Sequence, residues 1–184
     1  MKRIIKFCLL AAFFAPTLTL AHGPSRVLLV EEIEINATPD KVWSVIGDFC
    51  SIKDWHPTVT DCTSDKGNEP DSVRVITLED GEQITEILAK HEPDKFMIQH
   101  YMEAGQELKA YPITTHGLTI TISDNGKGGS TVKWKGAFYR FYQGPNPPPE
   151  LSDVTATEKL TVFYRAGLKN IKKLPNKNTS RKAG

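Results

Sequence analysis

The chain has 184 residues, 23 Lys and Arg against 22 Asp and Glu for a net charge of +1, 39% hydrophobic residues and three cysteines. That length fits one domain burying about two thirds of its unfolded surface, so folding requires neither a metal nor a disulfide. The balance of charge excludes nucleic-acid binding by bulk charge, and ordinary charged and apolar fractions exclude a disordered chain or a multi-span membrane protein.

Residues 1–21 read as a secretory signal peptide. Lys2, Arg3 and Lys6 precede an apolar run from Phe7 to Ala15, Pro16 breaks it, and Thr19-Leu20-Ala21 supplies small residues for cleavage after Ala21. The apolar run is about half the ~20 residues a membrane anchor needs, so no stable membrane insertion is expected and the mature chain is assigned to the periplasm. Its first residue, His22, would present an amine beside an imidazole, a pair suited to copper.

Cleavage leaves 20 basic against 22 acidic residues. From Lys169 onward there are six basic residues and no acid, whereas residues 22–168 hold 14 basic against 22 acidic residues, a net of −8. An acidic body suits steering toward a charged partner, while the Lys169–Lys173 cluster also fits a helix C-terminus. Export places Cys50 and Cys62 in an oxidising compartment, where a bridge is worth about 3 kcal/mol; two buried free thiols remain the alternative.

Val27–Ile35 alternates as a strand. Thr38 then stands as N-cap and Pro39 as first residue of a helix with Val42, Trp43, Val45, Ile46 and Phe49 on its apolar stripe. After a turn through Ser51–Pro57, strands are expected near Val59–Ser64, Ser72–Leu78, Gln83–His91, Phe96–Met102, Ile113–Ser123 and Ser130–Tyr142. Glu79-Asp80-Gly81 and the Asp124–Gly129 run carry hairpin-turn chemistry, with a looser turn at Lys66–Pro70, which makes an antiparallel meander. The proline-rich run Gly144–Pro149 ends the last strand. Leu151, Val154, Leu160, Phe163, Ala166, Gly167, Leu168, Ile171 and Leu174 then recur at helical spacing, predicting a helix of about 24 residues stopped by Pro175. The domain so defined spans residues 22–174, and residues 175–184 form a basic tail.

A strand, a short helix, about six hairpin-linked strands and a long C-terminal helix make an α+β helix-grip layout of about seven strands wrapped around that helix. Through Thr38-Pro39-Asp40-Lys41-Val42-Trp43 and Asp54-Trp55-His56-Pro57 the chain resembles the START/Bet v 1-like superfamily over nearly all of its mature length. Within it, Ala21-His22-Gly23-Pro24, Trp55-His56-Pro57, Gly136-Ala137-Phe138-Tyr139-Arg140 and Tyr164-Arg165-Ala166-Gly167-Leu168 resemble exported MxaD-type proteins of bacterial methanol oxidation. The superfamily resemblance implies a cavity between sheet and helix that holds lipids, sterols or polyketides and, in a few members, catalyses cyclisation or dehydration. The MxaD resemblance implies a periplasmic accessory, with no cofactor, that helps a quinone-dependent methanol dehydrogenase work with its cytochrome acceptor.

The candidate cavity residues are Trp55, His56, Glu86, His100, His116, Trp134 and Phe138. His56 is either an acid–base group at the cavity mouth or a turn residue held by its neighbours. Glu86, His100 and His116 lie on three different strands and would form a polar cluster if all face inward. Glu86 shares parity with Ile84 and Leu88, and is either a buried carboxylate with a raised pKa or a residue of the solvent side. His116 shares parity with Leu118, Ile120 and Ile122. Trp134 and Phe138 are candidates for the cavity wall, and Trp55 for a packing anchor.

No nucleophile elbow, phosphate loop, HExxH or C-x-x-C occurs, which removes the common hydrolase, kinase and zinc readings. Three functions remain. The first is an accessory of a periplasmic dehydrogenase and its cytochrome, and the second a carrier of an apolar small molecule, which requires a closed cavity of several hundred Å³. The third is a cyclase or dehydratase using His56, Glu86 or His100.

Overall fold

The computed structural model describes residues 23–173. Seven strands, β1 (Val27–Ile35), β2 (Val59–Ser64), β3 (Val73–Leu78), β4 (Gln83–Glu92), β5 (Met97–Met102), β6 (Ile113–Asp124) and β7 (Ser130–Arg140), form one antiparallel sheet. Its order is β1-β7-β6-β5-β4-β3-β2. Helices α1 (Pro39–Ile46) and α2 (Ile52–Trp55) bridge its two edge strands, and α3 (Asp153–Ile171) closes the chain. This is the expected helix-grip architecture with seven strands. The expected leader, His22, Leu174 and the expected basic tail lie outside the described residues.

Side-chain parity builds the core. In β7, Val132, Trp134, Phe138 and Arg140 are buried while Lys133, Lys135 and Tyr139 face water, the period-two pattern of a sheet with one covered face. The covering face of α3 carries Ala156, Leu160, Phe163, Tyr164, Gly167, Leu168 and Ile171. Register shifts at Val59/Asp61, Leu88/Lys90 and Ile113/Thr115 interrupt the ladders; such bulges bend the strands that carry them and favour a sheet that curls around the helix.

Several local expectations are corrected. Thr38 occupies the N-cap of α1 but makes no side-chain cap hydrogen bond. Phe49 lies beyond α1, buried in the following loop, and the expected turn through residues 51–57 contains the four-residue α2. The last helix has 19 residues rather than about 24: it starts at Asp153, after a short 3-10 segment at Pro149–Leu151, and it ends at Ile171 with Lys172 as C-cap. Ser152 supplies its cap, its Oγ accepting from the Thr155 N–H at 3.2 Å. Val154, placed by spacing on the apolar stripe, is 66% exposed.

Three polar clamps fix α3. Arg165 donates to both carboxylate oxygens of Glu31 on β1 at 2.9 Å. Asn170 Nδ2 donates to the Trp55 carbonyl at 2.9 Å. At the other end Arg140 donates to Asp153 Oδ2 at 2.6 Å and to the carbonyls of Tyr142 and Gly144 at 2.8 and 2.7 Å, tying the proline-rich loop to the helix start.

Cys50 and Cys62 are bonded, with Cα atoms 5.6 Å apart. The bridge closes a short loop between the α1–α2 connection and edge strand β2, and it settles the alternative in favour of a disulfide. Cys50→Ser/Cys62→Ser is expected to lose about 3 kcal/mol, the loop-closure value for a loop near this size. Urea unfolding of the variant against wild type measures it, and equal midpoints would contradict a stabilising bridge.

Candidate functional site

Between sheet and α3 lies a narrow crevice lined by fifteen residues, mostly Ile, Leu, Met and Phe, with Arg74, Glu86, His100, His116, Tyr111 and Trp134 as its polar or amphipathic members. Glu86, His100, His116 and Trp134 are thus brought to one hollow as expected. Trp55, His56 and Phe138 are buried beside it but do not line it. The crevice encloses about 20 Å³, room for about one water-sized molecule.

The floor of the crevice is charged. Arg74 on β3 and Glu86 on β4 are directly opposite in register, so both side chains rise from the concave face. Arg74 Nε donates to Glu86 Oε2 at 2.8 Å, and Nη2 reaches the same oxygen at 2.6 Å. The other carboxylate oxygen lies 3.2 Å from His100 Nδ1, an ionic distance without the alignment of a hydrogen bond. The third Arg74 nitrogen, Nη1, donates to the Phe49 carbonyl, and the guanidinium lies over the Phe49 ring, 4.3 Å from its centroid. Burial alone pushes the Glu86 carboxyl up, but the Arg74 guanidinium, helped by His100, holds it well below the usual carboxylate range. Of the two alternatives for Glu86 the buried one is found, and the raised pKa attached to it is corrected, because the carboxylate is paired. Arg74 was the missing residue. Its signal was present in the alternation Arg74, Ile76, Leu78, which puts an arginine on the inward face.

The histidines are each held neutral. Burial lowers His116 to about 4, and its Nε2 shares a 2.7 Å hydrogen bond with the Tyr164 hydroxyl. Burial likewise pushes the Tyr164 phenol well above its ordinary value. His100 is lowered by burial and by Arg74, against the pull of Glu86. His56 is lowered to about 4, again by burial first. Its Nε2 lies 3.0 Å from the Phe163 carbonyl, an acceptor only, so that nitrogen carries the proton; Nδ1 accepts from the Thr58 N–H at 3.3 Å. Both ring nitrogens of His56 are satisfied inside the protein. This is a structural histidine, stacked on Phe163 at 3.8 Å between centroids, and the acid–base alternative has no free nitrogen to use.

Aromatic rings fill the rest. Trp134 stacks on Tyr164 at 4.4 Å and meets Trp55 edge-on at 5.6 Å, while Phe138 sits edge-on to His116. Two glycines admit them. A Cβ on Gly136 would lie on the Tyr164 hydroxyl and 2.7 Å from His116 Nε2. A Cβ on Gly167 would meet His56 at 2.6 Å, Trp55 at 2.9 Å and Trp134 at 3.0 Å. These small residues let helix and strand approach until the rings occupy space that a ligand would need. Among the described residues no group of three or more metal-ligating side chains forms, and no helix is long and apolar enough to cross a membrane.

The sequence profile of the family described as "Polyketide cyclase / dehydrase and lipid transport" matches residues 26–174. The chain belongs to this family. Its description names cyclisation, dehydration and lipid transport, so the family fold is one of small-molecule binding. The chain is 26% identical over 140 residues to MLP-like protein 423 of Arabidopsis thaliana, covering 71% of this chain and 87% of that one. The structure of XoxI from Bacillus cereus superposes with a TM-score of 0.68 at 25% identity, over 80% of this chain and 94% of the other. Norcoclaurine synthase from Thalictrum flavum shares the fold with a TM-score of 0.61 at 19% identity, over 82% and 87%.

Proposed function

We propose that this member of the family is a non-catalytic accessory of an exported, quinone-dependent alcohol-oxidation system, acting through its surface on a dehydrogenase and its cytochrome acceptor. The observation that carries a surface role is the filled interior: about 20 Å³ is free, far below the several hundred Å³ of a typical ligand site. Of the polar groups that a cyclase would deploy, Glu86 is occupied by Arg74 and His116 by Tyr164, while His100 Nδ1 lies 3.2 Å from Glu86 without a hydrogen bond. The methanol-oxidation assignment is supported by the MxaD-type motifs, the leader and the acidic body of residues 22–168. Periplasmic location follows from the same leader and is part of the proposal.

The test is turnover of purified dehydrogenase from the same host with its own cytochrome, with and without this protein, across a salt series. Faster electron transfer to the cytochrome at low salt, fading as salt screens the charges, is expected. Unchanged turnover at every salt concentration would sink the reading.

A second reading, carriage of an apolar small molecule, is favoured by the family fold and by the aliphatic residues of the crevice. It requires Phe163, Leu160 or Leu108 to move aside. Native mass spectrometry of protein purified from its own host would reveal a co-purifying ligand; bare protein alone would count against it.

A further inference from the structure

The two edges of the sheet are protected unequally. Strand β2 has six residues, carries a register shift at Val59/Asp61 and is tied through Cys62 to the loop after α1; short, bulged edges resist pairing with another chain. Strand β1 has nine residues, no proline, no lysine and an unbroken register against β7. Its one neighbour in the sheet is β7, and among the described residues no turn, loop or helix backbone bonds to it. Alternate N–H and C=O groups along its free side are therefore open to a further strand. Helix α3 meets β1 from the concave side, where Arg165 reaches Glu31. On the convex side Leu28 and Val30, next to Ala137 and Lys135 of β7, are 60% and 44% exposed.

The order of side chains along that convex side decides what fits. Arg26, Leu28, Val30 and Glu32 follow one another at the strand period and all four are exposed. They read cation, apolar, apolar, anion. Turned end for end, this series is its own complement. In an antiparallel pair whose two-fold axis passes Leu29, Leu28 stands opposite Val30 of the second copy and Arg26 opposite its Glu32, and symmetry repeats each contact. Among the described residues Arg26 has no ion-pair partner. Glu32 uses one oxygen on Lys133 at 3.3 Å and keeps the other. Neighbouring registers match less well. An axis at Leu28 sets Arg26 against Val30, one at Val30 sets Glu32 against Leu28, and one at Glu31 sets that carboxylate against its own copy; such mismatches weaken cross-strand pairs. Pro24, which has no N–H, stops the ladder before Glu34 is reached.

We propose that β1 pairs antiparallel with β1 of a second copy of this chain about a two-fold axis at Leu29, joining the two sheets edge to edge. This goes beyond the surface-acting reading above and does not depend on it. The test is sedimentation equilibrium of the purified protein over a concentration series, in which the average mass should rise from one chain to two. Leu28→Lys/Val30→Lys sets cations opposite cations at exposed positions and should weaken association on the order of tenfold, with an unchanged melting temperature. Arg26→Glu faces the Glu32 carboxylate with another and should weaken it about fivefold, and Glu32→Arg, which faces two guanidinium groups, about as much. Both changes in one chain reverse the two ion pairs and should restore the wild-type affinity, a recovery that neither a misfolded variant nor a contact elsewhere produces. Tyr101→Ser, at an exposed position of β5 away from the edge, should leave association unaltered. A protein that stays monomeric at every concentration, a dimer indifferent to the β1 substitutions, or a charge-exchanged variant that does not recover would each overturn the pairing.

Discussion

Acid should unfold this protein from the inside, with the stability loss beginning near pH 6.5 and growing steeply toward pH 4. His56 and His116 are each held at about 4 by burial, and His100 is lowered as well. In the unfolded chain the same rings titrate near 6.5. Below pH 6.5 the unfolded state therefore takes up protons that the folded state refuses, and linkage makes stability fall as pH falls. At about 1.4 kcal/mol per unit, two histidines displaced by about 2.5 units forfeit on the order of 6 kcal/mol by pH 4. That is comparable with the whole stability of an ordinary domain. Glu86 adds to the loss lower down: its folded pKa is depressed, so its contribution is present above the unfolded carboxylate value and disappears as pH drops below it. Urea midpoints between pH 7.5 and 4.5 measure the effect. His116→Gln keeps a hydrogen-bonding side chain beside Tyr164 but does not titrate, so its stability should depend less on pH than wild type. A midpoint independent of pH over this range would mean that the rings are solvated rather than buried.

The parts of the molecule that repeat were readable from sequence, and the parts that meet across the fold were not. Strand β2 was bounded at the observed residues, and β3 to β7 within one or two positions, because alternation and Asp-Gly or Asn-Gly turns are local signals. The order of elements then gave the helix-grip fold. The end of α1 and the existence of α2 were missed, since Phe49 continues the apolar stripe although its side chain serves the loop. The candidate site was half legible. Parity placed His116 and Trp134 among apolar neighbours but left the face of Glu86 open, and nothing in the spacing tied Glu86 to Arg74 twelve residues earlier; that partnership is created by hairpin register. The contents of the interior were illegible for the same reason. Aromatic residues at Trp55, Trp134, Phe163 and Tyr164 could equally wall a large cavity or fill it. The decision lies with Gly136 and Gly167, whose missing Cβ atoms let the rings close the space. The corrected length of α3 has two ends: Leu151 belongs to a 3-10 turn although the apolar period assigns it to the helix, and the helix stops at Ile171.

Arg74→Met should be the most damaging single substitution in the sheet, while Arg74→Met/Glu86→Leu should regain most of the loss. The single change leaves a carboxylate at the floor of an aliphatic crevice with only His100 beside it, and breaking a buried pair in this way costs about 3–5 kcal/mol. It also releases the Phe49 carbonyl, which Arg74 satisfies. Removing both charges instead replaces an ion pair, whose desolvation offsets much of its attraction, with side chains that pack against Ile76, Ile84 and Leu118; such exchanges are often neutral or better. The double-mutant cycle, read by urea unfolding at pH 7.5, should therefore give a large coupling energy. The same pair of variants discriminates between functions. A cyclase or dehydratase working through Glu86 and His100 would lose all activity in the refolded double variant, however stable. An accessory that acts through its outer surface would keep its effect on dehydrogenase turnover, because Arg74 and Glu86 are buried. A stable double variant that no longer supports electron transfer would move the function from the surface to the interior.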